Sequence, residues 1–175
     1  MKIVVTGAIG HIGSYLIRDL ALQFSGSEIV MIDNLMTQRF PSLFNLPTSA
    51  KYSFIEGDLT SMELNPIFKG VDTVIHLAAI TDAAGSVDNA ELLESNNFIG
   101  TEKVAIACLE NACNLITLSS TSVYGTQNSL VSEDCDESEL QPQSPYAITK
   151  LKEERLIDSL YKEHGLSAVS LRFGT

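Results

Sequence analysis

The sequence predicts an α/β protein built on a doubly wound parallel sheet of about six strands. Three observations predict it. Short apolar runs rich in β-branched residues alternate with stretches of helical periodicity, the pattern of βαβ units whose strands are buried on both faces. A glycine cluster follows the first run at once and opens the first helical stretch. At 175 residues, 45% hydrophobic and 19% charged, the chain can bury one core and fits a single domain.

The elements follow in order. Lys2-Ile3-Val4-Val5-Thr6 reads as a strand over 2–6, and Gly7 ends it. A helix follows near 11–24 and a second strand at 28–32. The segment 33–50, with Pro41 and Pro47 among polar residues, reads as a long connection rather than a helix. Strands are expected at 52–56 and 72–77, with a short helix around 62–69 between them. Helical periodicity returns near 89–112, a strand follows at 114–119, then a helix at 145–164 and a last strand at 167–173. The acidic run from Glu133 to Glu139 reads as a solvated loop placed to border whatever site Tyr146 serves. There is no internal repeat and no linker that would divide the chain.

A net charge of −11 argues against nucleic acid and against an anionic membrane surface, since both require clustered Lys and Arg. It leaves room for an anionic small ligand, which backbone N–H groups at a helix N-terminus can hold without side-chain charge. Cys108, Cys113 and Cys135 have neither CxxC nor CxxH spacing, so no disulfide framework and no metal site is expected. The first apolar run is too short for a signal peptide and no stretch is long enough to span a bilayer, so the cytoplasm is the expected compartment.

Gly7-Ala8-Ile9-Gly10-His11-Ile12-Gly13 sits where a dinucleotide-binding turn must sit, between the first strand and the first helix. Its spacing is GxxGxxG. Glycines there permit a tight turn, close approach of backbone to a pyrophosphate, and close packing of helix on strand. Asp33 lies 20 residues after Gly13, at the end of the second strand, the offset expected of a carboxylate that accepts hydrogen bonds from adenosine ribose hydroxyls. A carboxylate would repel a 2′-phosphate, which favours NAD over NADP. Arg39 is the one nearby cation and is expected to be simply exposed.

Tyr146 and Lys150 are four apart in a helical segment and therefore share a face. An ammonium beside a phenol favours the phenolate, the beginnings of a general acid/base. By itself the YxxxK spacing is also what an ordinary surface helix carries. Ser119-Ser120-Thr121-Ser122 ends the fifth strand, and ligands of open parallel sheets bind outside the carboxyl ends of strands.

Together these residues resemble the extended short-chain dehydrogenase/reductase family, in particular its NAD-dependent nucleotide-sugar epimerases and dehydratases. The likeness runs over essentially the whole chain and implies the Rossmann form of the doubly wound sheet. It places Gly7, Gly10, His11, Ile12 and Gly13 in the opening cofactor motif, Asp33 and Asn34 at the ribose, and Asp58 and Leu59 at the adenine side. Leu77, Ala78 and Ala79 would pass along the cofactor, and Asn97 would steady the central helix and the cofactor site. Register on Val123-Tyr124-Gly125 assigns Ser120 as the catalytic hydroxyl, with Ser119, Thr121 and Ser122 as lesser candidates, and Ser144-Pro145-Tyr146 with Lys150 completes the catalytic set.

The resemblance implies that Tyr146 takes a proton from a sugar hydroxyl as hydride leaves for NAD, that Lys150 also grips the nicotinamide ribose, and that Ser120 holds the developing carbonyl oxygen. A 4,6-dehydratase of this family keeps an Asp-Glu pair where this chain has Thr121-Ser122, so a 4-epimerase is the expected activity, with a dehydratase or reductase as the alternative. A non-catalytic NAD-binding module, or an oxidoreductase for a non-sugar alcohol, are competing readings. Family members also continue into a smaller C-terminal substrate domain, which this chain is expected to lack, and many of them have an asparagine where Thr175 stands. The chain is expected to be the NAD-binding portion, residues 1–175, of a longer two-domain enzyme, to bind NAD, and to convert a nucleotide sugar poorly or not at all. A homodimer through the helices near 89–112 and 145–164 is the family's common assembly.

Overall fold

The computed structural model describes residues 1–81, 90–127 and 130–174. Its elements run β1 (Lys2–Thr6), α1 (His11–Gln23), β2 (Glu28–Asp33), β3 (Lys51–Glu56), α2 (Asn65–Phe68), β4 (Thr73–His76), α3 (Ala90–Leu93), α4 (Ile99–Asn111), β5 (Asn114–Ser120), α5 (Pro145–His164) and β6 (Ala168–Phe173). All six strands pair in parallel in the order β3-β2-β1-β4-β5-β6. The chain winds outward from β1 to β3, then returns to the other side of β1 for β4. The neighbouring carboxyl ends of β1 and β4 therefore open a crevice, the place where such sheets bind ligands.

Side-chain alternation sorts the core into two layers. Ile3 and Val5 of β1 and Ile29 and Met31 of β2 pack with Ile17, Leu20 and Ala21 of α1. Val4, Val30 and Ile32 point the other way, into a larger layer with Phe68 of α2, Val104 and Cys108 of α4 and Ile157 of α5. Burial on both faces explains why these strands read as unbroken apolar runs. The edge strand β6 is the exception, since Val169, Leu171 and Phe173 alternate along one face and are each at least 40% exposed.

The helices obey local chemistry. The Ser144 Oγ accepts from the Ala147 N–H at 3.2 Å, Pro145 opens α5, and Gly165 closes it in the left-handed conformation at φ +75°. The connection 33–50 holds one 3₁₀ turn, Phe40–Leu43, and is fastened to α1 by Arg18, which donates to the Phe44 carbonyl at 2.8 Å. The expected helix at 62–69 shrinks to Asn65–Phe68. The expected helix at 89–112 is interrupted: Glu94–Phe98 form a π turn between α3 and α4, and residue 89 lies outside the described residues. The acidic run contains a 3₁₀ turn, Glu137–Glu139, and Glu137 pairs with Arg155 of α5 at 2.6 Å. Thr175, which the resemblance puts at a substrate contact, also lies outside the described residues.

Candidate active site

The glycine turn lies in the crevice between β1 and β4. Gly7 adopts φ +64°, and a Cβ there would stand 2.7 Å from the Ala78 nitrogen. A Cβ on Gly13 would meet the Gly7 carbonyl oxygen at 2.2 Å, so helix and turn touch backbone to backbone. Gly10 caps α1 without any side-chain hydrogen bond, and the first turn holds no acidic residue. The first N–H groups of α1 are thus left for an anion, and the helix dipole favours one.

A cavity of about 510 Å³ opens over this turn. Its wall includes Gly7, Gly10, His11, Ile12 and Gly13, then Asp33 and Asn34, Asp58 and Leu59, and Leu77, Ala78 and Ala79. Asp33 accepts from the Leu35 N–H at 2.9 Å and from the Ile9 N–H at 3.3 Å, so it ties the end of β2 to the glycine turn. Asp58 accepts from both the N–H and the hydroxyl of Thr60, at 2.9 and 2.7 Å, and these bonds hold its carboxyl below the usual carboxylate range. Arg39 is exposed and also lines the cavity, as do Met36, Thr37 and Thr81, none of which the sequence motifs single out. A charged residue six positions past Asp33 was the only sequence signal.

Asn97 takes a different place. It is buried, accepts from the Ile80 N–H at 2.8 Å, and donates to the Ile80 carbonyl at 2.9 Å. It clamps the backbone that leaves β4, as a strand partner would, while its neighbour Asn96 lines the cavity. The π turn at Glu94–Phe98 is what presents Asn97 to Ile80.

At the end of β5, Ser120 is buried and its Oγ accepts from the N–H and the hydroxyl of Ser122, at 3.2 and 2.9 Å. The next residues, Thr121–Tyr124, form a 3₁₀ turn that packs on α5. Ser119 is buried beside it with an unpartnered Oγ. Tyr146 is half-buried in the first turn of α5, and one turn on the Lys150 Nζ lies 5.9 Å from its ring centroid. Lys150 is buried and pairs with Glu153 at 2.9 Å.

A second set of polar groups lies beneath this pair. The Thr6 hydroxyl and the His76 Nδ1 are 2.7 Å apart, on strand positions that face each other across β1 and β4. The His76 Nε2 is 3.0 Å from the Thr101 hydroxyl of α4. Burial, with the Lys150 charge nearby, pushes the imidazole down to about 3, so it is neutral at physiological pH. The sequence motifs reach only as far as the neighbouring Leu77, Ala78 and Ala79, and nothing in them announces that His76 meets Thr6 and Thr101 or that Lys150 meets Glu153. Among the described residues no group of three or more His, Cys, Asp or Glu is placed to hold a metal ion, and no helix is long and apolar enough to cross a membrane.

Residues 3–175 match the family described as NAD dependent epimerase/dehydratase. A UDP-glucose epimerase of Bacillus subtilis, itself described as uncharacterized, is 34% identical over the full chain, which covers 56% of that protein. The UDP-N-acetylglucosamine 4-epimerase of Methanobrevibacter ruminantium superposes with a TM-score of 0.86 at 35% identity, over 98% of this chain and 54% of its own. The UDP-glucuronic acid 4-epimerase of Bacillus cereus, solved with UDP-glucuronic acid and NAD, gives 0.87 at 33% identity, over 98% and 56%. The chain spans about half the length of the relatives it matches.

Proposed function

From the premise that the chain belongs to the NAD-dependent epimerase/dehydratase family, we propose that it is the NAD-binding part of an epimerase that inverts C4 of a nucleotide hexose, with a UDP-hexose the substrate class best supported. One observation carries the cofactor half of this reading: a backbone-lined turn with no room for a Cβ, a helix N-terminus without a capping side chain, and the Asp33 carboxylate all line one cavity. Pyrophosphate suits the first two and a ribose diol suits the third. The relatives named above carry the substrate half.

Bound there, NAD supplies the hydride acceptor and donor. The residues of the chain do the rest. Tyr146 takes the proton from the C4 hydroxyl as the carbon loses hydride, and returns it when hydride comes back on the other face. Lys150 holds positive charge beside the phenol and would be the residue to hold the nicotinamide ribose. Ser120 donates to the C4 oxygen and fixes its position; its neighbours Ser122 and Thr121 stand where a dehydratase would need an acid and a base. A non-catalytic NAD-binding module would have no use for Ser120, Tyr146 and Lys150 together.

Because the match reaches only half of each relative, the 175 residues are proposed to bind NAD and to leave the sugar unconverted, the remaining contacts to substrate coming from sequence beyond this match. Exposed Ile99 and Ile106 of α4 and Ile148 of α5 support a homodimer through those helices, and a cytoplasmic location fits the same reading. The test is incubation with NAD and UDP-glucose, UDP-N-acetylglucosamine or UDP-glucuronic acid, for this chain and for a version continued downstream where the gene continues. Epimer formed only by the longer version, without NADH accumulation, is expected. Conversion by the 175 residues would overturn the half-site proposal, and steady NADH production would point to a simple oxidoreductase.

A further inference from the structure

Glu153 is 4% exposed, Lys150 is 5% exposed, and both lie on one face of α5 with the Lys150 Nζ donating to Glu153 Oε2 at 2.9 Å. The second oxygen, Oε1, is buried with no hydrogen-bond partner. A carboxylate is costly to bury half-satisfied, and an isolated ammonium in the same place would shed its proton. Each charge is therefore tolerable only because of the other.

A layer of polar groups lies beneath the pair. The Ala78 N–H donates to the Thr6 hydroxyl oxygen at 3.4 Å, and the same oxygen lies 2.7 Å from His76 Nδ1. The other nitrogen of the neutral imidazole, Nε2, lies 3.0 Å from the Thr101 hydroxyl, so the ring links β1 to α4. Burial pushes the Glu153 carboxyl up, and Lys150 and the Thr101 hydroxyl act against that by favouring the carboxylate. This polar layer reaches from Ala78, on the cavity wall, to Thr101 of α4.

We propose that Glu153 is a positioning residue for Lys150: it anchors the ammonium one turn from Tyr146 and keeps it charged inside the protein. The proposal rests on the reading of Tyr146 and Lys150 as the proton-transfer pair. An ammonium has three N–H donors, so Lys150 can keep Glu153 and still turn others to a ribose hydroxyl. The other ionisable groups that reach the pair are Tyr146 and Glu154 on α5 and neutral His76 on β4; α4 contributes Thr101, which does not titrate.

The test is a pH titration of the chain by NMR, with ¹³C at lysine Cε and glutamate Cδ, and with Lys150→Met to assign the lysine signal. The step that the Lys150 signal shows where Glu153 titrates is expected to vanish in Glu153→Gln and to return in Glu153→Asp, which restores a carboxylate one methylene shorter. In the unmodified chain, which needs no variant to fold, the Lys150 signal is expected to move at the pH where Glu153 titrates. A Lys150 signal flat through the Glu153 titration, or one that keeps the same step in a folded Glu153→Gln, would overturn the proposal. These titrations require no cofactor, so a Lys150 signal unmoved by saturating NAD would count instead against the reading of the site on which it rests.

Discussion

Asp33 does two structural jobs before any ligand arrives, accepting from Ile9 in the glycine turn and from Leu35 beyond β2. The second bond holds Leu35 at φ +58°, a conformation that disfavours a branched side chain. Asp33→Ala is expected to weaken NAD binding at least about tenfold, since it removes charge-assisted bonds to a ribose diol, and to narrow the preference over NADP as Arg39 on the same wall goes unopposed. Calorimetry with both dinucleotides measures this. Tyr146→Phe is expected to keep NAD binding and to lower epimerisation in a version that converts sugar by about 10²–10⁴-fold, the range for losing a general acid/base; assay of both variants separates the two roles. Asp33, Tyr146 and Lys150 were legible in the sequence because spacing alone brings them to strand end or helix face. Glu153 was not, because a Lys and a Glu three apart on a helix usually make a solvated surface pair, and only the packing of α4 against α5 buries this one.

α5 carries Tyr146 and Lys150, the proposed proton-transfer pair, and its start is set by Ser144 and Pro145. Ser144→Ala leaves the Ala147 N–H without its cap and is expected to destabilise the protein by about 1 kcal/mol, a fall in Tm of roughly 2–4 °C for a chain of this size. Thermal unfolding checks it. Gly7→Ala should have a larger effect on both stability and NAD affinity, since a Cβ meets Ala78 at 2.7 Å in a backbone conformation that alanine avoids. The glycine turn was readable, and so were the strands, which fall within one or two residues of their expected limits, whereas the Ser144 cap was not singled out. The π turn at Glu94–Phe98 was not: inserting one extra residue per turn leaves helical periodicity nearly intact, and its purpose, the clamp of Asn97 on Ile80, joins segments that only the fold brings together. The tie between 33–50 and α1 depends on Arg18 reaching a backbone carbonyl, a bond no local pattern announces.

At the scale of the whole molecule, the alternation of runs made the parallel sheet legible, whereas strand order, and with it the crevice between β1 and β4, is a property of the assembled sheet. Across that crevice His76 is buried neutral between Thr6 and Thr101. Its folded-state value, about 3, lies below the ordinary 6.5, so the unfolded chain binds the extra proton first. The stability this provides is complete above pH 6.5 and is lost as pH falls toward 3. Asp58, held low, acts in the same direction at more acid pH, while Glu153, pushed up by burial, acts in the opposite one. Urea unfolding from pH 7 to 4 is expected to show falling stability, with a shallower slope in His76→Gln; equal slopes would contradict this account. The face of β6 that shows Val169, Leu171 and Phe173 offers uncovered apolar area at an unpaired sheet edge, so the isolated chain should associate with rising concentration and Leu171→Glu should reduce it, as read by sedimentation. Whether these 175 residues by themselves hold NAD is read by calorimetric titration of the purified chain with the dinucleotide. Saturable one-to-one binding, stronger for NAD than for NADP and lost in Gly7→Val, is the predicted result; a folded chain that takes up no NAD at millimolar concentration would contradict it.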